Sequence, residues 1–184
     1  MTFVFREIQK EDYTSCADSL IAAYANEPWN NPWTLEEALL RIEATMSGFN
    51  ARGYVIEYEG HIIAMCLGRT DYYFQNWRQF CIDEFNVTPH YQRQGLGRQL
   101  FAFAATQLKK EAIQQLFLLT GGAQAVTFYE KNGFLTSNEG TMMVYPLTEA
   151  QRKTVTTSNQ TERKCANGSY QTKKTMDYSK IIHC

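Results

Sequence analysis

The stretch from residue 87 to residue 97, VTPHYQRQGLG, combines residue types that suit the binding of an anion. An apolar extended pattern precedes it and a helical pattern follows it, which places Gly95 and Gly97 at a strand-to-helix turn. Glycine lets a backbone approach a ligand closely, and the first turn of a helix offers unpaired N–H groups. Arg93 and Arg98 add positive charge beside the turn. The pattern predicts a site for a phosphate-bearing ligand, and a pyrophosphate fits it best.

Two glycines at such a turn also occur where no ligand binds, so this stretch alone does not decide between a binding loop and a simple turn. It is not a Walker loop, because the sequence lacks GxxxxGK followed by Ser or Thr. It is not a complete GxGxxG dinucleotide motif either, because Leu100 stands where the third glycine would be. Two common phosphate-binding motifs are thereby excluded.

A second motif makes the first one more specific. Residues 92–97 (QRQGLG) match the Q/R-x-x-G-x-G/A signature of the GNAT superfamily of N-acetyltransferases, and residues 125–134 (AVTFYEKNGF) resemble that family's second signature. The motifs occur in the family's order, about 30 residues apart, with a helical and a strand pattern between them. The resemblance extends in element order from residue 3 to residue 147 and does not cover the rest of the chain.

The resemblance implies that acetyl-coenzyme A (acetyl-CoA) is the acetyl donor. Loop amides would bind its pyrophosphate, and the edge of strand 80–87, splayed from strand 116–120, would pair with its pantetheine amides. A main-chain N–H near Val87 would polarise the thioester carbonyl, where charge develops in the tetrahedral intermediate. Asn132 is a weaker expected contact. The predicted coenzyme contacts are Phe85, Val87, Gln92, Arg93, Gln94, Gly95, Leu96, Gly97, Arg98 and Asn132.

An amine acceptor needs a base, because an alkylammonium group has a pKa of ~10.4 and must lose a proton before it attacks. Strand 80–87 contains Asp83 and Glu84, and strand alternation predicts that their side chains point to opposite faces of the sheet. The resemblance favours Glu84 as the base, directly or through a water, with Asp83 as the alternate. A structural hydrogen bond, or an anchor for the substrate ammonium, remains an open alternative for Glu84.

The leaving thiolate benefits from a proton donor. Tyr129, in the sequence FYEKNGF, stands where the family often has a general-acid tyrosine. A tyrosine that follows a phenylalanine on a helix also occurs simply as packing. Catalysis is therefore assigned to Glu84 and Tyr129 through the resemblance.

Other reactive side chains are weaker candidates. His61, His90 and His183 lack the spacing of metal ligands, so no metal is expected. Cys81 lies in a predicted strand and has no histidine nearby in the sequence, which favours an inert buried thiol over an acetyl-enzyme.

The hydrophobic periodicity predicts an α/β fold with a mixed, mostly antiparallel central sheet and helices on both faces. A capping box formed by Thr34 and Glu37 marks the start of the second helix. Predicted helices cover residues 13–24, 34–49, 94–111 and 123–131, and predicted strands cover 3–7, 54–58, 61–67, 80–87, 116–119, Phe134 and 141–147.

The charge divides the chain in two. Residues 1–148 carry 11 basic and 16 acidic side chains and form the predicted N-acetyltransferase domain. Residues 149–184 carry seven basic and three acidic side chains in a polar sequence, which predicts a solvated extension or a partner-contacting arm. The acidic body disfavours nucleic acid as a ligand. Apolar runs of at most six residues disfavour a membrane span, and five cysteines without a CxxC pair favour reduced thiols in a cytoplasmic protein.

The preferred functional interpretation is an N-acetyltransferase that acts on a small cationic primary amine, such as a polyamine or an aminoglycoside-like amino sugar, by direct attack in a ternary complex. Acetylation of a protein N-terminus or a lysine is one alternative. A module that binds or senses acyl-CoA without turnover is another. The sequence identifies neither the acceptor nor the oligomeric state, and a homodimer remains open.

Overall fold

The structure, a computed structural model, describes residues 2–27, 29–137, 143–149 and 151. Within these ranges the chain forms five strands and four α-helices. The strands are β1 (Val4–Glu7), β2 (Ala51–Tyr58), β3 (His61–Tyr72), β4 (Arg78–Val87) and β5 (Gln115–Phe117). The helices are α1 (Tyr13–Tyr24), α2 (Leu35–Met46), α3 (Leu96–Lys110) and α4 (Ala123–Lys131).

The five strands form one sheet in the order β1-β2-β3-β4-β5. The first four pair antiparallel, and β5 runs parallel to β4. A tight turn at Glu59 and Gly60, both with positive φ, joins β2 to β3 as the sequence predicts. The mixed, mostly antiparallel sheet is confirmed.

Helices cover both faces of this sheet, as predicted. Helices α1 and α2 lie on one face, where Leu20 and Ile42 pack against Val55 and Met65 of the sheet. Helix α3 covers the other face. Its buried residues Leu96, Leu100, Ala104 and Leu108 repeat at helical spacing, and they pack against residues such as Ile82. The two cores place β4 between two helical layers.

The predicted capping box fixes the start of α2. The Glu37 N–H donates to Thr34 Oγ1 at 3.2 Å, and the Thr34 N–H donates to Glu37 Oε2 at 2.9 Å. Both bonds satisfy donors that a helix start otherwise leaves unpaired. The buried residues Ala38 and Ile42 define the face of α2 that packs on the sheet, and Arg41 precedes Ile42 directly.

An irregularity in the pairing of β3 with β4 lies close to the predicted site. Leu67 pairs with Glu84 and Gly68 pairs with Ile82, so Asp83 is the extra residue of a β-bulge. A Cβ at Gly68 would lie 2.0 Å from the Cys81 carbonyl oxygen, so only glycine permits this close approach of the strands. The bulge changes which way the carboxylates of β4 point.

The extents of two predicted elements, α3 and β5, are corrected. Helix α3 begins at Leu96 rather than at Gln94, because Arg93 and Gly95 have positive φ values of 59° and 81° that a right-handed helix does not allow. Strand β5 is limited to the three residues that pair with β4.

The predicted final strands are wrong where the structure describes them. Phe134 and residues 143–147 have no strand conformation, and Thr141 and Met142 lie outside the described residues. Pro146 lacks the N–H that a strand ladder needs, and Met143 and Leu147 are largely exposed. The predicted extension 149–184 lies outside the described residues apart from 149 and 151.

Cys16, Cys66 and Cys81 are buried free thiols. Burial raises the pKa of Cys16 and of Cys66 to about 12, so these thiols are unreactive. Cys165 and Cys184 lie outside the described residues. No helix in the described part of the chain has both the length and the apolar character that crossing a bilayer requires.

Candidate active site

The loop between β4 and α3 has the geometry of an anion-binding turn. Arg93 and Gly95 adopt left-handed conformations, and the first helical hydrogen bond runs from the Gln99 N–H to the Gly95 carbonyl at 3.1 Å. The amides that precede Gln99 at the helix start therefore have no intrahelical acceptor. The loop is exposed while Leu96 is buried and anchors the helix. This arrangement fits the predicted binding of a pyrophosphate.

Two glutamines brace the loop. Gln92 Nε2 donates to the Val87 carbonyl at 2.8 Å, and Gln94 Nε2 donates to the His90 carbonyl at 3.1 Å. Both side chains are thus engaged with the loop's own backbone. These bonds hold the turn in shape, and contact of the two side chains with coenzyme A stays a prediction.

Strands β4 and β5 separate next to this loop. Their pairing ends at Cys81 and Phe117, whereas β4 continues to Val87. The edge of β4 beyond Cys81 therefore has no pairing with β5, which is the opening that the sequence predicts for a pantetheine chain.

The aromatic rings of β4 and α4 meet at this opening. The Phe85 ring lies 5.4 Å from that of Phe128 and 6.1 Å from that of Tyr129. A Cβ at Gly97 would lie 3.4 Å from Phe128 and 3.5 Å from Val87, so α3, α4 and β4 converge here. The absence of a side chain at Gly97 lets α3 start close to both neighbours.

Glu84 lies on β4 with no exposed surface, and both its carboxylate oxygens are hydrogen-bonded. Arg41 Nε of α2 donates to Glu84 Oε1 at 2.7 Å, and the Tyr24 hydroxyl of α1 donates to Glu84 Oε2 at 3.2 Å. Arg41 Nη2 also donates to the Asp83 carbonyl at 3.1 Å. Two helices of one face therefore hold the predicted base.

Opposing effects set the protonation of this carboxylate. Burial raises the pKa of Glu84 to about 7, although the charge and hydrogen bond of Arg41 and the hydrogen bond from Tyr24 lower it. Asp83 adds a smaller effect that raises the pKa. A carboxylate with this pKa exchanges protons near neutral pH, as a general base must.

Tyr129 is buried on α4 and packs edge-on against Phe85 and Phe134. Its phenol is also close enough to Tyr24 to contribute to the raised pKa of that tyrosine, after burial and the Glu84 charge. The predicted acid and the predicted base therefore both lie near the Tyr24 hydroxyl. Their separation along the sequence gave no indication of this common neighbour.

Strand alternation predicts that Asp83 and Glu84 point to opposite faces of the sheet, but in the structure they do not. Its carboxylate pairs with Arg69 and accepts a hydrogen bond of 3.6 Å from Cys81 Sγ, whose neighbour Ile82 faces α3. Cys81 and Asp83 therefore share the face of α1 and α2, and Glu84 reaches the same helices. The bulge at Asp83 explains the error, because two successive residues of a bulge point to one side.

The described residues include no group of three or more His, Cys, Asp or Glu side chains placed to hold a metal ion. The site therefore consists of the anion-binding turn, the open edge of β4, and a buried cluster of Glu84, Tyr24, Arg41 and Tyr129.

Comparison with known proteins matches this arrangement to one family. The model of the acetyltransferase (GNAT) family matches residues 7–134. The chain belongs to this family. GNAT enzymes use acetyl-CoA as cosubstrate.

The first kind of relative is a curated protein that is similar to part of the chain. The chain is 36% identical over 86 residues to the ribosomal protein bS18-alanine N-acetyltransferase of Escherichia coli (strain K12), a match that covers 42% of this chain and 56% of the relative. The chain thus spans about half the length of the curated relatives it matches.

Solved acetyltransferase structures are similar in fold. A possible acetyltransferase from Clostridium difficile 630 has a TM-score of 0.69 at 16% identity, covering 80% of this chain and 100% of the other. An aminoglycoside acetyltransferase from an uncultured soil metagenomic sample has a TM-score of 0.61 at 14% identity, covering 79% and 97%. At these identities the likeness concerns the fold alone.

The predicted site residues fall into two groups in this GNAT domain. The coenzyme residues line the turn and the free edge of β4, except Asn132, whose Nδ2 donates to the Phe128 carbonyl at 2.7 Å and thus caps α4. Its contact with coenzyme A stays a prediction. Glu84 and Tyr129 come together in the buried cluster.

Sequence reasoning missed Tyr24 and Arg41. Tyr24 reads as one more apolar residue on the buried face of α1, and Arg41 reads as a polar residue of an amphipathic helix. Neither lies in a motif, and no local signal distinguishes them from ordinary helix residues. Only the packing of both helices on β4 brings them to Glu84.

Proposed function

We propose that this GNAT domain transfers the acetyl group of acetyl-CoA to the α-amine of a peptide or protein N-terminus. Glu84 acts as the general base and Tyr129 as the general acid. The observation that carries this choice of acceptor is the full burial of Glu84, which raises its pKa to about 7 against the opposing effect of the paired Arg41.

The pKa of Glu84 favours an α-amine over an alkylamine. An α-ammonium group has a pKa of ~7.7–8.0, and a lysine-like ammonium has one of ~10.4. A base with a pKa of about 7 takes a proton from the first at a cost of roughly 1 kcal/mol and from the second at a cost of roughly 5 kcal/mol. An N-terminus therefore gives up its proton to this base at a lower cost than a lysine or an alkyl polyamine does.

The local charge supports the same choice. A polycationic acceptor would need several unpaired carboxylates around the base, yet Arg41 pairs with Glu84 and Arg69 pairs with Asp83. The acidic balance of the whole body, which favoured a small cationic amine, is thus offset at the site itself. The partial match to an N-terminal alanine acetyltransferase adds support.

The donor would lie along the turn and the open edge of β4. Amides from Arg93 to Arg98 would bind the pyrophosphate, and the backbone of β4 between Phe85 and Val87 would face the pantetheine and the thioester. The residues present fit this role because the helix-start amides have no intrahelical acceptor and β5 leaves the edge of β4 open.

The proton balance assigns a role to each buried group. The acceptor nitrogen loses two protons in all, one as the ammonium before it attacks and one after the attack. Glu84 accepts each of them in turn. One proton is returned to the departing sulfur through Tyr129, and the other leaves to solvent. Cys81 takes no part, since it is buried and its thiol donates to Asp83. Attack is therefore direct, within a ternary complex.

A thiol-release assay with acetyl-CoA tests the proposal. The panel contains peptides with a free N-terminus, the same lysine-containing peptides with a blocked N-terminus, polyamines and aminoglycosides. Release that requires the free α-amine supports the proposal. Preference for polyamines or aminoglycosides would establish the small-amine alternative instead, and coenzyme binding without release from any amine would favour a binding module.

A further inference from the structure

The enclosure of Glu84 poses a problem for the reaction. Glu84 has no exposed surface, and Arg41 and Tyr24 occupy its two oxygens. An acceptor nitrogen cannot come within hydrogen-bond distance of this carboxylate while both groups and their surroundings stay in place. For Glu84 to act on the acceptor directly, one of the two neighbours gives way when the acceptor binds.

Arg41 is the neighbour that can move. Tyr24 is only 7% exposed, and its ring packs edge-on against Trp29 at 5.7 Å. The Arg41 side chain is 32% exposed and reaches Glu84 from the surface of α2. A long side chain at the surface has other rotamers open to it, whereas a tyrosine held between a helix and a tryptophan does not.

The charge of Glu84 dictates what must replace Arg41. A buried carboxylate that loses its counterion is strongly destabilised, so the guanidinium leaves only if another cation arrives. An amine acceptor arrives as an ammonium, which carries the required charge.

We propose that Arg41 is a placeholder cation which the acceptor's ammonium displaces from Glu84, so that the acceptor binds by exchange. The inference rests on the proposed function, in which Glu84 is the base.

The exchange delivers the reacting group to the base. The ammonium enters the hydrogen-bond position that Arg41 Nε holds at 2.7 Å from Glu84 Oε1. An N–H bond then breaks, an O–H bond forms on Glu84, and the neutral amine is released for attack. The amide product carries no charge, so Arg41 returns to the ionised carboxylate once the proton has left. Arg41 thereby selects acceptors that carry a cation at the reacting nitrogen.

Removing the Arg41 side chain is expected to lower the KM for the acceptor. In Arg41→Ala, the KM for the acceptor falls by about fivefold, the factor lost with a partly exposed ion pair. Methylguanidinium added to this variant refills the position and inhibits competitively against the acceptor. All rates are taken on the alkaline plateau of each variant's pH profile, so that Glu84 is ionised throughout.

A matched control is Arg52→Ala. Arg52 forms an ion pair of 2.8 Å with Glu111, and its side chain is as exposed as that of Arg41. Its loss leaves the acceptor KM and the response to methylguanidinium unchanged. If Arg41→Ala does not fold, Arg41→Lys serves instead, because a lysine lacks the second bond to the Asp83 carbonyl and holds Glu84 less firmly, so the acceptor KM again falls.

The opposite pattern overturns the inference. If methylguanidinium restores a lost kcat, Arg41 orients the base and is not displaced. Binding is also measured without turnover, by calorimetry of methylguanidinium with Arg41→Ala in the presence and absence of the acceptor peptide. Independent binding of the two overturns the exchange even if the enzyme is active. Thiol release from no amine by the wild-type chain contradicts the proposed function instead.

Discussion

The Tyr24 hydroxyl donates a hydrogen bond of 3.2 Å to Glu84 Oε2 across 60 residues of sequence. This bond ties the C-terminal end of α1 to the middle of β4, on the oxygen that Arg41 leaves available. The carboxylate is therefore oriented by two helices of one layer. Its protonation responds to changes in either helix.

Replacing Tyr24 tests the influence of this bond on the base. Tyr24→Phe removes a hydrogen bond that lowers the pKa of Glu84, while Arg41 and Asp83 continue to act on it. Because the base works in its ionised form, the rising limb of kcat/KM, expected near pH 7, moves to higher pH. A pH–rate profile for the acceptor measures the shift. The control Tyr54→Phe removes a buried hydroxyl without a hydrogen-bond partner among the described residues, and it leaves the limb in place.

Replacing Glu84 tests its role as the base. Glu84→Gln keeps the shape of the side chain and lowers kcat by roughly 100-fold or more, the usual contribution of a general base. Steady-state thiol release measures this, with coenzyme A affinity as the check on folding. Asp83→Asn is the matched comparison on the neighbouring residue. A larger loss of kcat in Asp83→Asn than in Glu84→Gln would transfer the role to Asp83.

The raised pKa of Glu84 also predicts how stability depends on pH. The folded state holds this proton up to a pH of about 7, above the ordinary value of 4.5, so the stabilisation is complete below the lower value and is lost as pH rises through the higher one. Glu84→Gln cannot ionise. As pH rises between these two values, the wild type loses stability and the variant does not. The unfolding free energy of the variant relative to that of the wild type therefore increases, by roughly 3 kcal/mol at most. Urea unfolding at pH values on both sides measures it, and a constant difference would contradict the raised pKa.

The geometry of the turn before α3 predicts that a substitution at Gly95 weakens coenzyme A binding, and Gly60 provides a matched control. Gly95→Ala strains a φ of 81° at a cost of about 1 kcal/mol and distorts the amides that would bind pyrophosphate, so coenzyme A affinity falls. Gly60→Ala strains a φ of 79° in the β2–β3 turn, away from the site. Calorimetry with coenzyme A is expected to separate the two variants, although their thermal stabilities fall alike. Equal affinities would place the pyrophosphate elsewhere.

Replacing Tyr129 tests its proposed role as the general acid. Tyr129→Phe keeps the ring contacts with Phe85 and Phe134 and removes only the hydroxyl. We expect coenzyme A affinity to be preserved while kcat falls by roughly 100-fold. Wild-type turnover in this variant would reduce Tyr129 to a packing residue and leave thiolate protonation to solvent.

Local patterns predicted much of this domain. The capping box at Thr34, the β2–β3 turn and the glycine turn before α3 depend on neighbouring residues, and the structure contains all three. The strand predicted over residues 141–147 is absent from its described part, residues 143–147, because an apolar alternation that includes Pro146 does not by itself supply a pairing partner. The prediction that Asp83 and Glu84 point to opposite faces of the sheet failed, because a bulge depends on the strand next to it.

The sequence by itself indicated the family and the glycine turn before α3, because motif spacing and hydrophobic period are properties of short segments. Through the family resemblance it also predicted Glu84 and Tyr129 as the base and the acid. The tertiary structure alone decided that Tyr24 and Arg41 enclose Glu84. Hydrogen bonds and ion pairs between distant segments depend on how helices pack on a sheet, and no local pattern records that packing. The enclosed base that follows, with its charge paired to Arg41, is the reason for proposing an N-terminal α-amine in place of a small polycation.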